Sequence, residues 1–429
     1  VFGCFTIFFN LGGRAVENKD YLRNPEIARE ILEFNDWVML RHQGEIYVDK
    51  PPLHFWLIAG RYKIFGVNPF AARVPAAVAA MAGLLMAFFL GRKIFQNSET
   101  GFLAALMLLS AYGYFWWARR TRIDMEFAVF FSLALVFLYY GLEATNNLRK
   151  SFWYMAFWLA TGFAFMDKAF IALSTLIVVI PYGVMVGVSK NDARKVSPFL
   201  LLATSPVLVL PILPWVVSLM NHPEYSAYRT LLEQTKIMTR QRGFFYYFYG
   251  FPAKFFPAVP FLFMGIWAFF KYRKEIPERR ALVFPLVWIA AYLAILHLTA
   301  AKNTRYLLPI FLPCALVSAW SIQFYLKKAA RVMKKVLHRV NAVFFVVAML
   351  SMAVPFIFAY NSDISLVRPL PFVIALFIAF IIAWIYLPLK YAGFFISFIV
   401  LLLSIEIGEG VQDEKTSAYI GISQTLRAE

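Results

Sequence analysis

Residues 13–56 read GRAVENKDYLRNPEIAREILEFNDWVMLRHQGEIYVDKPPLHFW, a charged stretch between an apolar N-terminus and a long series of apolar segments. Lipid does not hydrate carboxylate or guanidinium groups, so this stretch has to lie at a water-facing surface of a membrane. A purely structural connector would be short, whereas this one is long and ends in Tyr47-Val48-Asp49-Lys50-Pro51-Pro52. These properties indicate the working part of a membrane enzyme.

The composition supports an integral membrane protein. Of the 429 residues, 61% are hydrophobic and 15% are charged, against roughly a quarter charged in soluble domains. The net charge of +18 lies in short basic clusters between apolar blocks. Such clusters are typical of loops that face anionic headgroups, so membrane lipids rather than nucleic acid are the expected partners. Cys4 and Cys314 are interpreted as two buried thiols, not as a disulfide or a metal site.

The apolar blocks predict an all-α membrane protein with about thirteen spanning helices, each needing ~20 residues. The predicted spans lie near residues 1–12, 72–90, 101–117, 125–142, 152–166, 169–188, 198–219, 257–270, 281–299, 306–325, 341–360, 368–387 and 391–408. Alternate loops are basic with few acidic residues and are expected to face the cytoplasm, which places the charged first loop outside. Arg119, Arg120 and Arg122 break this bias on the outer side, which we interpret as contact with a ligand.

One catalytic domain is expected over residues 1–408, with an outer catalytic loop at 13–71 and a second outer loop at 220–256. Residues 409–429 are expected to be a short outer tail, without a large soluble C-terminal domain. Asn24-Pro25 predicts the start of an amphipathic helix on the membrane surface. Its apolar face would carry Ile27, Ala28, Ile31 and Leu32, and its polar face Glu26, Arg29, Glu30 and Glu33. Pro51-Pro52 predicts the start of a second such helix.

Three acidic residues stand out because each lies where a membrane segment ends on the outer side: Asp20, Asp49 and Asp124. One such carboxylate alone is ordinarily a solvated loop residue. Three at one face, each beside basic residues, favour a cleft where carboxylates and cations meet at the membrane surface. Such a cleft suits chemistry on a lipid-linked phosphate.

Several motifs carry a resemblance to a known family. They are DYLRNPEIAREIL at 20–32, DKPPLHFWL at 49–57, NPFAARVPAAVAA at 68–80, RIDMEFAVFF at 122–131, FMDKAFIALSTLIVVIP at 165–181 and AKNTRYLLPIFLP at 301–313. Together they resemble the lipid-linked-sugar glycosyltransferases. That family includes the bacterial 4-amino-4-deoxy-L-arabinose transferases of lipid A and, more distantly, the protein O-mannosyltransferases. The resemblance covers most of residues 10–315.

The resemblance implies the GT-C fold, an active site on the outer face, and transfer of a sugar from polyprenyl phosphate with inversion. It assigns Asp20 to the catalytic aspartate of the first loop. Tyr21 stands where the family usually has a second acidic residue, which leaves open whether Glu17 supplies that carboxylate.

Further positions follow from the same resemblance. Asp49 stands where many members have glutamate, Lys50 matches the lysine that meets the carrier phosphate, and Asp124 matches a second acidic position. Lys302 and Arg305 fall in a run that favours a substrate role, although both are also consistent with interface anchors.

The reaction suggests roles for the remaining candidates. Lys50, with Arg240 or Arg242, would neutralise the departing phosphate, and Tyr47 and Tyr306 would add hydrogen bonds. Asp20 would act as a base toward a hydroxyl acceptor, or as an orienting group if the acceptor is a phosphate, and both alternatives stay open.

Three basic side chains remain ambiguous from the sequence. Lys168 is interpreted either as a substrate-binding residue or as an ion-pair partner of Asp167. His54 and His222 are more often structural in such settings, so no metal ligand is assigned and a divalent metal stays an open question.

The sequence therefore predicts a bacterial inner-membrane glycosyltransferase whose active site faces the periplasm. It would move one sugar from a polyprenyl phosphate donor to lipid A or another envelope lipid. The alternatives are a protein O-glycosyltransferase and, from another class, a lipid flippase or transporter. Transporters carry ionisable residues near the bilayer midplane and paired repeats, whereas here the charges gather at one face and no repeat is evident.

Overall fold

The computed structural model describes residues 2–13, 19–187, 196–234, 242–277, 279–299, 302–361, 365–367, 369–386, 393 and 395–409. The α-helices are α1 (Phe2–Phe8), α2 (Lys19–Glu33), α3 (Leu53–Phe65), α4 (Pro69–Phe95), α5 (Ser98–Ser110), α6 (Tyr112–Ala118), α7 (Ile123–Glu143), α8 (Asn147–Lys168), α9 (Thr175–Gly187), α10 (Pro198–Ala203), α11 (Leu213–Met220), α12 (Tyr225–Gln234), α13 (Tyr246–Phe255), α14 (Val259–Lys271), α15 (Arg279–Leu298), α16 (Leu308–Lys328), α17 (Ala330–Ser351), α18 (Val354–Asn361), α19 (Leu370–Tyr386) and α20 (395–409).

Short elements complete the described part of the chain. Helices of the 3₁₀ type cover Ala169–Ser174, Ser205–Val209 and Thr304–Leu307. Strands β1 (Arg41–His42) and β2 (Glu45–Ile46) form an antiparallel hairpin. The predicted all-α class is therefore confirmed, with this hairpin as a small addition.

The protein is a multi-pass membrane protein. Within the described residues, six helices are long and apolar enough to cross a bilayer, or up to nine if each sharply bent helix pair forms one span. The predicted count of thirteen is not confirmed. One reason is that breaks divide some apolar blocks, as between α5 and α6, whose axes differ by 70° within the predicted span 101–117. Hydropathy alone does not distinguish a broken or re-entrant pair from a straight span.

The centre of the bundle is formed by α4, α7 and α16, whose apolar windows are more than half buried inside the protein. Close approach is possible because small residues face each other. A side chain at Gly91 of α4 would come within 2.9 Å of the Gly101 Cα of α5, so both positions require glycine. This packing holds α4 and α5 close together near the C-terminal end of α4.

The first loop contains α2, the hairpin and α3. Helix α2 starts five residues before the predicted start, so Pro25 lies inside it and the prediction that Asn24 caps a helix is wrong. The apolar face was predicted correctly, since Ile27, Ala28 and Ile31 are buried against α3 and α4. The polar face is only partly solvated, because Glu30 is buried.

Glu30 ties the hairpin to α2. Its two carboxylate oxygens accept the backbone N–H groups of Gln43 (2.7 Å) and Gly44 (3.1 Å). These two residues form the turn, both with positive φ (57° and 80°), as a tight two-residue hairpin requires. The hairpin therefore holds the following segment, Tyr47 to Pro52, at a fixed place beside α2.

The first loop is also joined to the second outer loop. Asp36 Oδ2 lies 3.1 Å from His222 Nε2, and Arg41 Nη2 lies 2.5 Å from Glu224 Oε1. Trp215 donates its indole N–H to the Val38 carbonyl. These contacts place α11 and α12 against the hairpin segment, so the two outer loops form one layer.

Candidate active site

Asp124 is the centre of a buried ionic cluster. It lies in the first turn of α7, where a carboxylate is favoured by the helix dipole, and it is 2% exposed. Its Oδ1 lies 2.5 Å from Lys168 Nζ and 3.5 Å from Arg305 Nε, and its Oδ2 lies 3.6 Å from Arg122 Nε. We call Arg122, Asp124, Lys168 and Arg305 the Asp124 cluster.

The Asp124 cluster brings together three distant parts of the chain. Lys168 is the last residue of α8, and Arg305 belongs to the 3₁₀ helix before α16. Aromatic rings support the cations, since Lys168 Nζ lies 4.8 Å from the Phe127 ring centroid and 5.4 Å from that of Tyr306. Rings in this position favour cations electrostatically and keep the ammonium group in place.

Basic side chains converge on Asp124. Arg122, Lys168 and Arg305 all lie within 4 Å of this one carboxylate, and all four groups are mostly removed from water. Buried charges are costly unless they are paired. Guanidinium and ammonium groups held together in this way are also the donors that suit a phosphate.

Lys50 and Asp49 lie at the rim of this cluster, on the segment before α3. The protein around Lys50 displaces water, and together with the positive charge of Lys168 it lowers the Lys50 pKa from its ordinary value. Asp49 Oδ2 is 4.0 Å from Arg23 Nη1, and the Arg23 guanidinium lies 5.8 Å from the Tyr47 ring centroid. The rim therefore adds two more cations to the same region.

Several polar atoms around the cluster are buried without a hydrogen-bond partner in the described part of the chain. The donors are Arg23 Nε, Tyr47 Oη and Arg305 Nε, and the acceptors are Asp167 Oδ1, Asp167 Oδ2 and Glu126 Oε2. Burial also raises the pKa of Tyr47 to about 12, so its hydroxyl stays a hydrogen-bond donor at neutral pH. Unpartnered buried donors are rare in folded proteins, and the three donors suit an acceptor-rich ligand.

A groove of about 750 Å³ lies on the other side of Arg23, along α2 and the start of α4. Polar side chains of Arg23, Arg29, His42, Gln43, Tyr62 and Asn68 line it, beside the apolar Leu22 and Val67. Ile64, Phe65 and Val67 are exposed next to it at the end of α3. A polar groove with an apolar edge is suited to the headgroup region of a lipid.

Comparisons with known proteins show which family and which fold this chain resembles. The profile of the dolichyl-phosphate-mannose-protein mannosyltransferase family matches residues 49–215. The crystal structure of ArnT from Cupriavidus metallidurans bound to undecaprenyl phosphate superposes with a TM-score of 0.71 at 19% identity, covering 96% of this chain and 75% of that one. The apo structure of the same protein gives a TM-score of 0.69 at 21% identity. The chain resembles the lipid-linked-sugar glycosyltransferases and has their GT-C fold.

Curated relatives point in the same direction as the GT-C fold. An undecaprenyl phosphate-alpha-4-amino-4-deoxy-L-arabinose arabinosyl transferase of Pseudomonas savastanoi pv. phaseolicola is 27% identical over 321 residues, 72% of this chain and 57% of the relative. A protein of the same name from Serratia proteamaculans is 26% identical over 352 residues, 80% of this chain and 61% of the relative. The chain thus spans about three fifths of the length of these relatives.

The GT-C structure brings some predicted site residues together and separates others. Asp124, Lys168, Arg305 and Tyr306 meet in the cluster, with Lys50, Asp49 and Tyr47 at its rim. Lys168 forms its close ion pair with Asp124, whereas the sequence offered Asp167 as its partner. The sequence did not identify Arg23, although its place three residues after Asp20 in the first motif was a usable signal.

Other predicted residues lie elsewhere or outside the described residues. Lys302 is buried and donates to the Thr299 carbonyl at 2.7 Å, and Arg242 stacks on Tyr246 at 4.5 Å. Glu17 and Arg240 lie outside the described residues. Asp20 lies in the first turn of α2, and the description of the structure does not extend to its side chain, so its role stays a prediction.

The three arginines before α7 divide into two groups. Arg122 belongs to the Asp124 cluster, as a ligand contact requires. Arg120 forms a bidentate pair with Glu406 of α20 (2.7 and 3.3 Å), and Arg119 donates to the Thr6 and Ile7 carbonyls of α1. Arg120 and the Nη1 group of Arg119 are thus bound by the chain itself, which does not support the interpretation of these two arginines as ligand contacts.

Neither histidine of interest stands in a metal-binding group. Within the described residues no three His, Cys, Asp or Glu side chains are grouped closely enough to hold a metal ion. His54 pairs with Glu126 (3.2 Å) and His222 with Asp36 (3.1 Å). Both cysteines are free, and Cys4 is exposed, contrary to the prediction that both thiols are buried.

Proposed function

We propose that this protein is a GT-C glycosyltransferase that transfers one sugar from a polyprenyl phosphate to a membrane lipid, lipid A by preference. The observation that carries the proposal is the convergence of Arg122, Lys168 and Arg305 on the buried carboxylate of Asp124. The names of the relatives support the substrate class, since they are transferases of 4-amino-4-deoxy-L-arabinose from undecaprenyl phosphate.

The reaction accounts for the cations. Displacing a polyprenyl phosphate from the anomeric carbon creates negative charge on the departing phosphate and positive character on the sugar ring. Lys168, Arg305 and Lys50 would stabilise the phosphate, and fixed cations of this kind need no rearrangement as the charge develops. Asp124 would hold Lys168 and Arg305 in place and lie close to the electron-poor sugar.

Asp20 is proposed to act on the acceptor. A phosphate acceptor is already nucleophilic, so Asp20 would orient it, whereas a hydroxyl acceptor would need Asp20 as a general base. Inversion at the anomeric carbon follows if the acceptor attacks from the side opposite the phosphate.

The groove beside Arg23 is proposed as the acceptor site. It adjoins the rim through the Arg23–Asp49 contact, and its polar lining and exposed apolar edge match a glycolipid headgroup at a membrane surface. This arrangement would bring donor and acceptor to the two sides of Arg23. The basic loops at the other end of the bundle favour the periplasmic side of the inner membrane for this site.

A transfer assay tests the proposal. Purified protein would receive radiolabelled polyprenyl-phosphate sugars and a lipid A acceptor, and the label on the acceptor would be measured for the wild type and Lys168→Ala. The matched control is Arg229→Ala, because Arg229 is a cation of α12 in an exposed pair with Glu233. We expect transfer by the wild type and the control, and its loss in Lys168→Ala.

Other outcomes would redirect the proposal. Label on a serine or threonine peptide, lost in Asp20→Asn, would establish protein O-glycosylation instead. No transfer to any acceptor, combined with movement of labelled polyprenyl lipid across vesicle membranes, would identify a flippase and contradict the proposed enzyme.

A further inference from the structure

His54 is a buried junction between three parts of the protein. It lies in the first turn of α3, and its ring is 1% exposed. Its Nδ1 lies 3.2 Å from Glu126 Oε1 on α7, and its Nε2 lies 3.2 Å from Asn24 Nδ2 on α2. Two elements of the outer loop and one membrane helix therefore meet at a single imidazole.

The hydrogen bonds around His54 determine its tautomer. Asn24 Nδ2 donates to the Thr121 carbonyl at 3.0 Å, and because a carbonyl only accepts, this bond fixes the orientation of the Asn24 amide. The second amide hydrogen then points to His54 Nε2, which must accept it. His54 Nδ1 therefore carries the proton and donates to Glu126.

Each of the three junction residues, His54, Asn24 and Glu126, is close in sequence to a residue of the proposed site. Lys50 precedes His54 by four residues, with Pro51 and Pro52 restricting the backbone between them. Asn24 follows Asp20 by four residues, one turn along α2. Glu126 follows Asp124 by two residues on α7.

We infer that His54, Glu126 and Asn24 are positioning residues that set the place of Lys50 and Asp20 relative to Asp124. This inference rests on the proposed function. The residues belong to the interior and touch the site only through their own helices. Lys168 and Arg305 are held by α8 and by the helix before α16, which are not among the elements that meet at His54, so these two cations do not depend on the junction.

This division predicts a specific kinetic result. Loss of the junction should misplace Lys50 and Asp20 while most of the phosphate-binding cations stay in place. A displacement of ~1 Å of a reacting group is enough to lower a rate by about 10²-fold. We expect His54→Ala to lower kcat by about this factor and to change the Kd for undecaprenyl phosphate by no more than about threefold.

Conservative variants separate positioning from folding. Glu126→Gln keeps an oxygen that accepts the His54 Nδ1 proton, and we expect it to retain most of the kcat that Glu126→Leu loses. His54→Asn keeps a donor toward Glu126 but not the bond to Asn24, so an intermediate kcat is expected. Ser132→Ala, a buried polar residue further along α7, is the control for loss of a buried polar group.

Two results would overturn the inference. One is that, in every variant, kcat falls and the donor Kd rises in proportion to a fall in the melting temperature. That result would mean that the three residues have a structural role only. The other is that Glu126→Leu leaves kcat unchanged. A folded His54→Ala with unchanged kcat contradicts the inference equally.

A distance measurement keeps this inference separate from the proposed function. Spin labels at Ile64 of α3 and Phe170 near the end of α8, both exposed, would be placed in a Cys4→Ser background. If the distance distribution is broader in His54→Ala than in the labelled protein that keeps His54, the junction positions α3, even if the wild type transfers no sugar. An unchanged distribution overturns positioning, whereas absent wild-type transfer overturns only the enzyme.

Discussion

Arg120 and Arg122 are two residues apart and both buried, but their surroundings differ. Arg120 meets Glu406 through two hydrogen bonds and stacks on Trp116 at 4.0 Å, and Arg119 Nε lies 4.0 Å from the same carboxylate. Arg122 shares the carboxylate of Asp124 with Lys168 and Arg305. The first arrangement is a bidentate pair that joins two parts of the chain, whereas the second gathers basic side chains from three parts of the chain at one carboxylate. Buried cations are therefore informative about function through the groups they meet, not through burial alone.

The largest effect, on stability, is expected when the buried Arg120–Glu406 pair is broken. Glu406→Ala leaves Arg120 buried without its carboxylate, and loss of one partner of a buried pair costs about 3–5 kcal/mol of stability. Thermal unfolding in detergent would measure the loss. The double variant Arg120→Leu with Glu406→Leu should recover most of it, and if the single and double variants are equally unstable, charge balance is not the reason.

The corresponding change in the Asp124 cluster should affect activity and not stability. Lys168→Ala removes one of three cations around Asp124, and Arg122 and Arg305 still pair with this carboxylate. Removing one preorganised group that stabilises developing charge lowers kcat by about 10²–10³-fold. We expect that loss with an unchanged melting temperature, and a melting temperature that falls as far as in Glu406→Ala would refute the contrast.

Filling the groove sharpens the same comparison by separating acceptor from donor. Val67→Trp places a large ring at a position that is 58% exposed and lines the groove. The acceptor KM should rise by about tenfold, the equivalent of ~1.4 kcal/mol. The control is Val184→Trp, on α9 away from the groove and 62% exposed. An equal rise in both variants, or a weaker Kd for undecaprenyl phosphate, would contradict the assignment of the groove to the acceptor.

The smallest expected effect is a shift in pH dependence. The Lys50 pKa is lowered by displacement of water and by Lys168, so Lys50 is charged below that pKa and loses its charge as pH rises through it. Donor affinity should therefore fall on the alkaline side. Lys50→Arg should move this fall to higher pH because a guanidinium remains charged, as donor Kd between about pH 7 and about pH 11 would reveal. If donor affinity falls at the same alkaline pH in Lys50→Arg as in the wild type, Lys50 is not the titrating group.

The sequence predicted the membrane class and the motifs of the site well, and it failed where distant contacts decide. Asp124, Lys168, Arg305 and Lys50 were selected from local motifs that the structure brings to one place. Arg119 and Arg120 were selected for the wrong reason, since their partners lie on α1 and α20. A charge pattern alone does not reveal which carboxylate a buried arginine will meet.

By itself, the sequence determined that the chain is a helical membrane protein, because hydropathy and the distribution of charge follow directly from composition along the chain. It also determined which face of α2 is buried, because helical periodicity is a local property. Only the tertiary structure decided which cations converge on Asp124 and that His54 joins α2, α3 and α7. Both depend on side chains separated by tens to hundreds of residues, and such pairings arise from packing in three dimensions, which local patterns do not encode.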